Sequence, residues 1–230
     1  MSQIKVELQE FMGSDRSIAE AAWTSSLTYQ GKGKRTSEDV SRVVQMLADN
    51  GHSTPFESVV LRFWMKLPIQ TDRQHMTHRI ASHNGMSGRY RTMPDEFLDM
   101  PSDVKLILNK LSWNGQSGRS DQYEDLCQAA NDWYNTTVKD LKTGEQAGYI
   151  TNAELKRARE FIRGVLPQNN MTERVTIFNL RSFANYMKLR NSTEAQSEIH
   201  QLAELMLEEV KRKGIAPVAV EWLEKNGWRI

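Results

Sequence analysis

Residues 74–90, Gln-His-Met-Thr-His-Arg-Ile-Ala-Ser-His-Asn-Gly-Met-Ser-Gly-Arg-Tyr, set His75, His78, Arg79 and Arg89 among Ser82, Asn84 and Ser87 with few apolar fillers. A segment this dense in donors is poorly suited to a hydrophobic core, because each buried polar group needs a partner and each buried charge a counter-charge. An anionic ligand would supply one. Two arginine forks separated by a turn rich in hydroxyls and amides match phosphate geometry, and Gly85 and Gly88 let the backbone approach closely. The alternative is a solvated helix end and loop. A second cluster, Asn179, Leu180, Arg181, Asn185 and Arg190, lies much later in the chain, and the reading adopted is one polar site assembled from both.

The chain has 230 residues, of which 39% are apolar and 26% charged, enough for one large domain with its own core. Without a low-complexity linker or repeat, residues 1–230 are read as a single domain. A formal charge of +1 argues against a protein that grips nucleic acid by its overall field, so any bound anion is expected to be small. No run approaches the roughly 18 to 20 apolar residues needed to cross a bilayer, and the N-terminus lacks the regions of a signal peptide, so no membrane partner and a cytoplasmic location are expected. The lone Cys127, in a helical-looking stretch over residues 123–138, reads as a buried small hydrophobe rather than a nucleophile. The histidines His52, His75, His78, His83 and His200 lack the H-E-x-x-H pattern, and no metal site is expected. Neither G-x-G-x-x-G nor a P-loop occurs, so phosphates must be held by side chains. G-x-S-x-G is missing too.

Ile4, Val6 and Leu8 alternate with polar residues and predict a first strand, after which Ser14 or Asp15 could cap a helix to about Ser25. Thr36 or Ser37 opens a clearer helix with Val40, Val43, Val44 and Leu47 on one face and Asn50-Gly51 as its stop. Leu61, Phe63, Met65 and Leu67 alternate with Val60, Arg62, Trp64 and Lys66, which predicts a strand ended by Pro68. Residues 116–142 and 151–164 read as helices, the second opening with the capping box Thr151-Asn-Ala-Glu154. A short strand is expected at Val175, Ile177 and Phe178, then helices at residues 180–189, 193–213 and Pro217–Lys225. The class is α+β, with a small, mostly antiparallel sheet and many helices. On an ideal helix Arg181 and Asn185 share a face, whereas Arg190 points about 180° away. It would serve a second ligand or a second site, or be only an exposed cation at the helix end.

These residues, in this order, resemble the flavin-dependent thymidylate synthase family, whose signature R-H-R-x-x-S-x-N-x-x-S-x-R-Y is matched from His78 through Tyr90 with Thr77 in place of the first arginine. The likeness extends to His52-Ser-Thr-Pro-Phe-Glu57, Asp72-Arg-Gln74, Arg163-Gly-Val-Leu-Pro167, Asn179-Leu-Arg181-Ser and Leu189-Arg190 through Ile199. It implies a homotetramer with active sites at subunit interfaces, each built from more than one chain. It also implies FAD as cofactor, NADPH as reductant and 5,10-methylenetetrahydrofolate as one-carbon donor, acting together to convert dUMP to dTMP without cysteine attack on the pyrimidine. By the resemblance, Thr54, Thr77, His78, Arg79, Gly85, Asn179, Arg181 and Asn185 would contact FAD. Gln74, Ser87, Gly88, Arg89, Arg163 and Arg190 would hold dUMP, with Arg190 the catalytic residue beside the uracil. His52 and Glu57 match a further motif near the flavin. Thr77, Gly85 and Glu194 depart from the family's usual arginine, Glu or Gln, and histidine. Those departures keep open a related C5-modifying enzyme, such as a dUMP hydroxymethylase, and a non-catalytic nucleotide or RNA binder.

Overall fold

The computed structural model describes residues 2–25, 35–111 and 118–229. Its four strands are β1 (Lys5–Met12), β2 (Val60–Pro68), β3 (Ser82–Gly85) and β4 (Met171–Asn179), joined in one antiparallel sheet in the order β1-β2-β4-β3. Nine α-helices lie among the described residues: α1 (Asp15–Trp23), α2 (Ser37–Asp49), α3 (Ile69–His75), α4 (Ser102–Asn109), α5 (Arg119–Gln146), α6 (Asn152–Ile162), α7 (Leu180–Arg190), α8 (Ser197–Arg212) and α9 (Pro217–Lys225). The α+β class expected from the patterning is the one found. The start of the helix expected over residues 116–142 falls partly outside the described residues, and α5 runs on to Gln146. The helix expected from residue 193 begins at Ser197.

Alternation in β2 is followed closely by burial: Leu61, Phe63, Met65 and Leu67 are fully buried while Val60, Arg62, Trp64 and Lys66 are not. In β4 the outcome departs from the apolar reading. The buried positions include Arg174, Thr176 and Phe178, and Ile177 is exposed. Thr176 stays inside because its hydroxyl is engaged by two histidines, so a polar side chain takes a core position that apolar counting assigns to its neighbours.

The described residues gather into two compact units, each discontinuous in sequence. The first comprises residues 1–4, 66–72 and 85–173. Its interior includes Cys127, Tyr134, Val138 and Met171, and the Tyr134 hydroxyl accepts from the Met93 amide at 3.2 Å. The second comprises residues 5–65, 73–84 and 174–230. There Phe63 stacks on Phe183, and Phe178, Tyr186 and Trp228 close an aromatic cluster around them. Each such fully buried side chain stabilises by about 1.5–3 kcal/mol through area removed from water. Asp15, expected as a possible cap of its own helix, instead caps α9: its carboxylate accepts from the Val218 and Ala219 amides at 3.0 and 2.9 Å. Burial raises its pKa while those two donors pull it down.

Candidate active site

Helix α7 organises the second unit's polar residues. Asn179 caps it, its side-chain oxygen accepting from the Ser182 amide at 2.8 Å, while the Leu180 amide donates to the Val59 carbonyl at 2.8 Å. Phe183, Ala184, Tyr186 and Met187 form the buried stripe of the helix. Arg181 and Asn185, four residues apart, lie off that stripe on a shared exposed face. With Asn179 they line an open cleft of about 870 Å³ whose walls also include Glu57, Lys188, Trp222, Trp228 and Arg229. Arg181 Nη1 lies 2.7 Å from Glu57 Oε1, with both side chains about half exposed, so this pair is cheap to rearrange around a ligand.

Arg190, at the C-terminal end of α7, points elsewhere, as the helical period requires. Its Nε donates to His78 Nε2 at 2.9 Å and its Nη2 to Thr77 Oγ1 at 3.1 Å. The Thr77 hydroxyl in turn donates to the Gln74 carbonyl at 2.7 Å. Threonine at the family's arginine position thus becomes an acceptor for a neighbouring guanidinium rather than a second cation. Because His78 Nε2 accepts, the ring is neutral, and burial, then its neighbours Arg190 and His83, lowers its pKa to about 4. Gln74 Nε2 donates to Gln196 Oε1, but the buried Gln74 Oε1 has no partner. A buried acceptor of this kind costs free energy until a donor arrives.

Ser87, Gly88, Arg89 and Arg163 belong to the first unit. The Ser87 carbonyl accepts from the amides of Tyr90 and Arg91 and closes the turn. A Cβ on Gly88 would sit 3.1 Å from Arg163 Cδ and 3.2 Å from Met93 Sδ, so glycine is what lets the Arg163 side chain lie against the main chain. Arg163 Nε donates to the Glu160 carbonyl at 3.1 Å, and Arg89 Nε pairs with the Glu160 carboxylate at 2.7 Å. Glu160 therefore draws both arginines of this cluster to the end of α6.

Thr54, Arg79 and Gly85 are exposed, and neither Thr54, Thr77, His78 nor Arg79 is among the described residues that line the cleft. His52 is exposed. Cys127 is buried, hydrogen-bonded to Asn169 Oδ1 at 3.6 Å, and burial raises its thiol pKa. Among the described residues no three His, Cys, Asp or Glu side chains are grouped to hold a metal ion, and no helix is long and apolar enough to cross a membrane. Sequence reasoning placed His75 only in a polar segment and missed His83, Thr176 and Tyr186, which join it in one hydrogen-bonded network. Only their polarity inside otherwise apolar or titratable stretches could have pointed to them.

Guanidinium forks and side-chain amides around a cleft are the means of a protein that grips phosphorylated ligands without a P-loop. Residues 7–218 match the thymidylate synthase complementing protein family. The flavin-dependent thymidylate synthase of Treponema denticola is 32% identical over 226 residues, covering 96% of this chain and 80% of that protein. That of Kosmotoga olearia is 35% identical over 216 residues, covering 94% and 88%. The crystal structure of the UMP/dUMP methylase PolB from Streptomyces cacaoi bound with 5-Br UMP superposes with a TM-score of 0.70 at 26% identity, covering 99% of this chain and 96% of that one. The chain belongs to the flavin-dependent thymidylate synthase family, whose members are methyltransferases, and membership implies a flavin cofactor and a nucleotide substrate.

Proposed function

We propose that this protein converts dUMP to dTMP, with FAD as cofactor, 5,10-methylenetetrahydrofolate as one-carbon donor and NADPH as reductant. The observation that carries this reading is the Arg190 guanidinium, planted on His78 and Thr77, the second of which is itself bonded to the main chain of Gln74, whose buried Oε1 is unpartnered. Two of its N–H groups are engaged and the others are available to a ligand. A fixed cation beside a uracil favours loss of the N3 proton and makes C5 more nucleophilic. Arg190 is the catalytic residue of this reading. Gln74 Oε1 offers an acceptor to the nucleotide; Ser87, Gly88, Arg89 and Arg163 are the further residues that the family resemblance assigns to dUMP.

The residues present fit a flavin dinucleotide. A cleft of about 870 Å³ lies within the range of small-molecule sites, roughly 300–1,000 Å³, and Arg181 with the Asn179 and Asn185 amides supplies donors for a diphosphate. Thr54, Thr77, His78, Arg79 and Gly85 complete the set in this reading. When bound, the flavin would supply hydride chemistry. The overall balance is dUMP, methylenetetrahydrofolate, NADPH and a proton giving dTMP, tetrahydrofolate and NADP⁺. The buried Cys127, with its raised pKa, suits a reaction that needs no thiolate.

The match over residues 7–218 supports one functional domain. Exposed Leu106, Ile107, Leu126, Trp133 and Phe161 on α4, α5 and α6 support assembly into a homotetramer, since exposed apolar residues on this scale mark contact surfaces.

Incubation of the purified protein with FAD, NADPH, methylenetetrahydrofolate and dUMP should yield dTMP by mass spectrometry, from a protein that is yellow with bound oxidised flavin. A product one oxygen heavier would mean hydroxymethylation. Colourless protein that oxidises no NADPH would leave only a nucleotide or RNA binder. The likeness to a UMP/dUMP methylase, together with threonine at position 77, favours one further reading, acceptance of UMP. That is tested by replacing dUMP with UMP in the same assay.

A further inference from the structure

Four hydrogen bonds run in series through the second unit: Tyr186 Oη to His75 Nδ1 at 3.2 Å, His75 Nε2 to Thr176 Oγ1 at 2.9 Å, Thr176 Oγ1 to His83 Nδ1 at 3.2 Å, and His83 Nε2 to the His78 carbonyl at 3.1 Å. Tyr186, His75 and Thr176 are fully buried. The last link orients all the others. A carbonyl oxygen only accepts, so His83 carries its hydrogen on Nε2, and with that ring neutral its Nδ1 accepts. The Thr176 hydroxyl must then donate to His83. Having one hydrogen, its oxygen can only accept from His75, whose hydrogen is therefore also on Nε2. His75 Nδ1 in turn accepts from the Tyr186 hydroxyl. With a single ring hydrogen on His83, that main-chain carbonyl fixes the direction of the whole series; a second hydrogen, on Nδ1, would reverse the other three links.

The series begins and ends at the same helix. Tyr186 lies four residues before Arg190 on α7, and the His78 residue gripped at the far end accepts from Arg190 Nε. We propose that His83 is a positioning residue: anchored through Thr176 and His75 to Tyr186, it holds the His78 carbonyl and thereby the peptide that presents both acceptors of the Arg190 fork, Thr77 Oγ1 and His78 Nε2. Its effect on turnover rests on the role given to Arg190 above. The hydrogen-bond direction does not.

The direction is read by side-chain ¹⁵N NMR of the five histidines in the intact protein, assigned by single substitutions. His83 and His75 should appear as Nε2–H tautomers and His78 as Nδ1–H, whereas an Nδ1–H or doubly protonated His83 near neutral pH overturns the proposal. For function, His83→Leu removes the donor and His83→Gln keeps an N–H at the Nε2 position. Small misplacements of a catalytic group cost up to about a hundredfold. His83→Leu should lower kcat per bound flavin about tenfold or more, and His83→Gln should recover most of it. Equal loss in both variants, or no loss in His83→Leu, overturns the positioning role. If His83→Leu does not fold, His83→Gln against wild type and the NMR spectra still decide. A wild-type protein that makes no dTMP but shows the stated tautomers would refute the activity and leave the brace standing.

Discussion

At the scale of single residues, Arg190 and Arg181 are alike in sequence and unlike in surroundings. Arg181 faces the cleft against Glu57 and both are about half exposed, whereas Arg190 is oriented by two neutral acceptors. A preorganised donor aimed at developing charge is typically worth about 10²–10³ in kcat. Arg190→Ala should therefore lower turnover by about that factor while flavin affinity, read by absorbance titration, changes far less; equal losses would mean Arg190 has been misassigned. Gly88 makes a second prediction. The contacts its Cβ would meet include the guanidinium Nη1 of Arg163 at 3.2 Å, so Gly88→Ala has to push that side chain aside. The KM for dUMP should rise about tenfold, the equivalent of roughly 1.4 kcal/mol, with the melting temperature little changed. An unchanged KM would remove Arg163 from the nucleotide site.

Among the elements, α7 shows what a sequence discloses and what it withholds. The opposition of Arg181 and Asn185 to Arg190 follows from helical period alone, and the structure places them on different surroundings as that period demands. Strand β2 was equally legible because its apolar alternation and its burial coincide. Strand β3 was not, since Ser82, His83, Asn84 and Gly85 carry no apolar period, and its only half-buried side chain is tied to Thr176, 93 residues away in sequence. Partners that distant come together through sheet pairing, which local pattern does not encode. The first residue of the α7 region makes a prediction at this scale. Asn179 both caps the helix and lines the cleft. Asn179→Asp keeps the acceptor for the Ser182 amide and places a negative charge at the positive end of the helix, which is favourable. It also replaces the amide donor with a charge that repels a diphosphate. The melting temperature should hold or rise while flavin affinity falls about tenfold. A fall in both would make Asn179 a cap and nothing more.

For the molecule as a whole, stability near neutral pH depends on histidines kept neutral inside. Burial, then His83, Arg174, His78 and Arg190, hold the His75 pKa well below its ordinary 6.5. Burial, Arg190 and His83 bring that of His78 down to about 4. Both groups bind protons more readily in the unfolded chain, so stability rises with pH wherever the unfolded state is the more protonated. Their contribution is complete above 6.5 and is lost as pH falls from there toward 4. Glu154 and Glu209, whose pKa values are lowered from 4.5 by hydrogen bonds to Thr151 and Arg212, add to the loss only below that value. Between pH 6.5 and 5 the histidines are therefore the main source of acid sensitivity among the shifted groups. The melting temperature should fall across this interval by on the order of a few degrees. His78→Gln retains a side-chain acceptor for Arg190 but cannot titrate, so its melting temperature should fall less steeply over the same interval. Parallel curves for variant and wild type, recorded at matched ionic strength, would show that His78 does not titrate with folding and would undo the argument that its neutral ring is what receives Arg190.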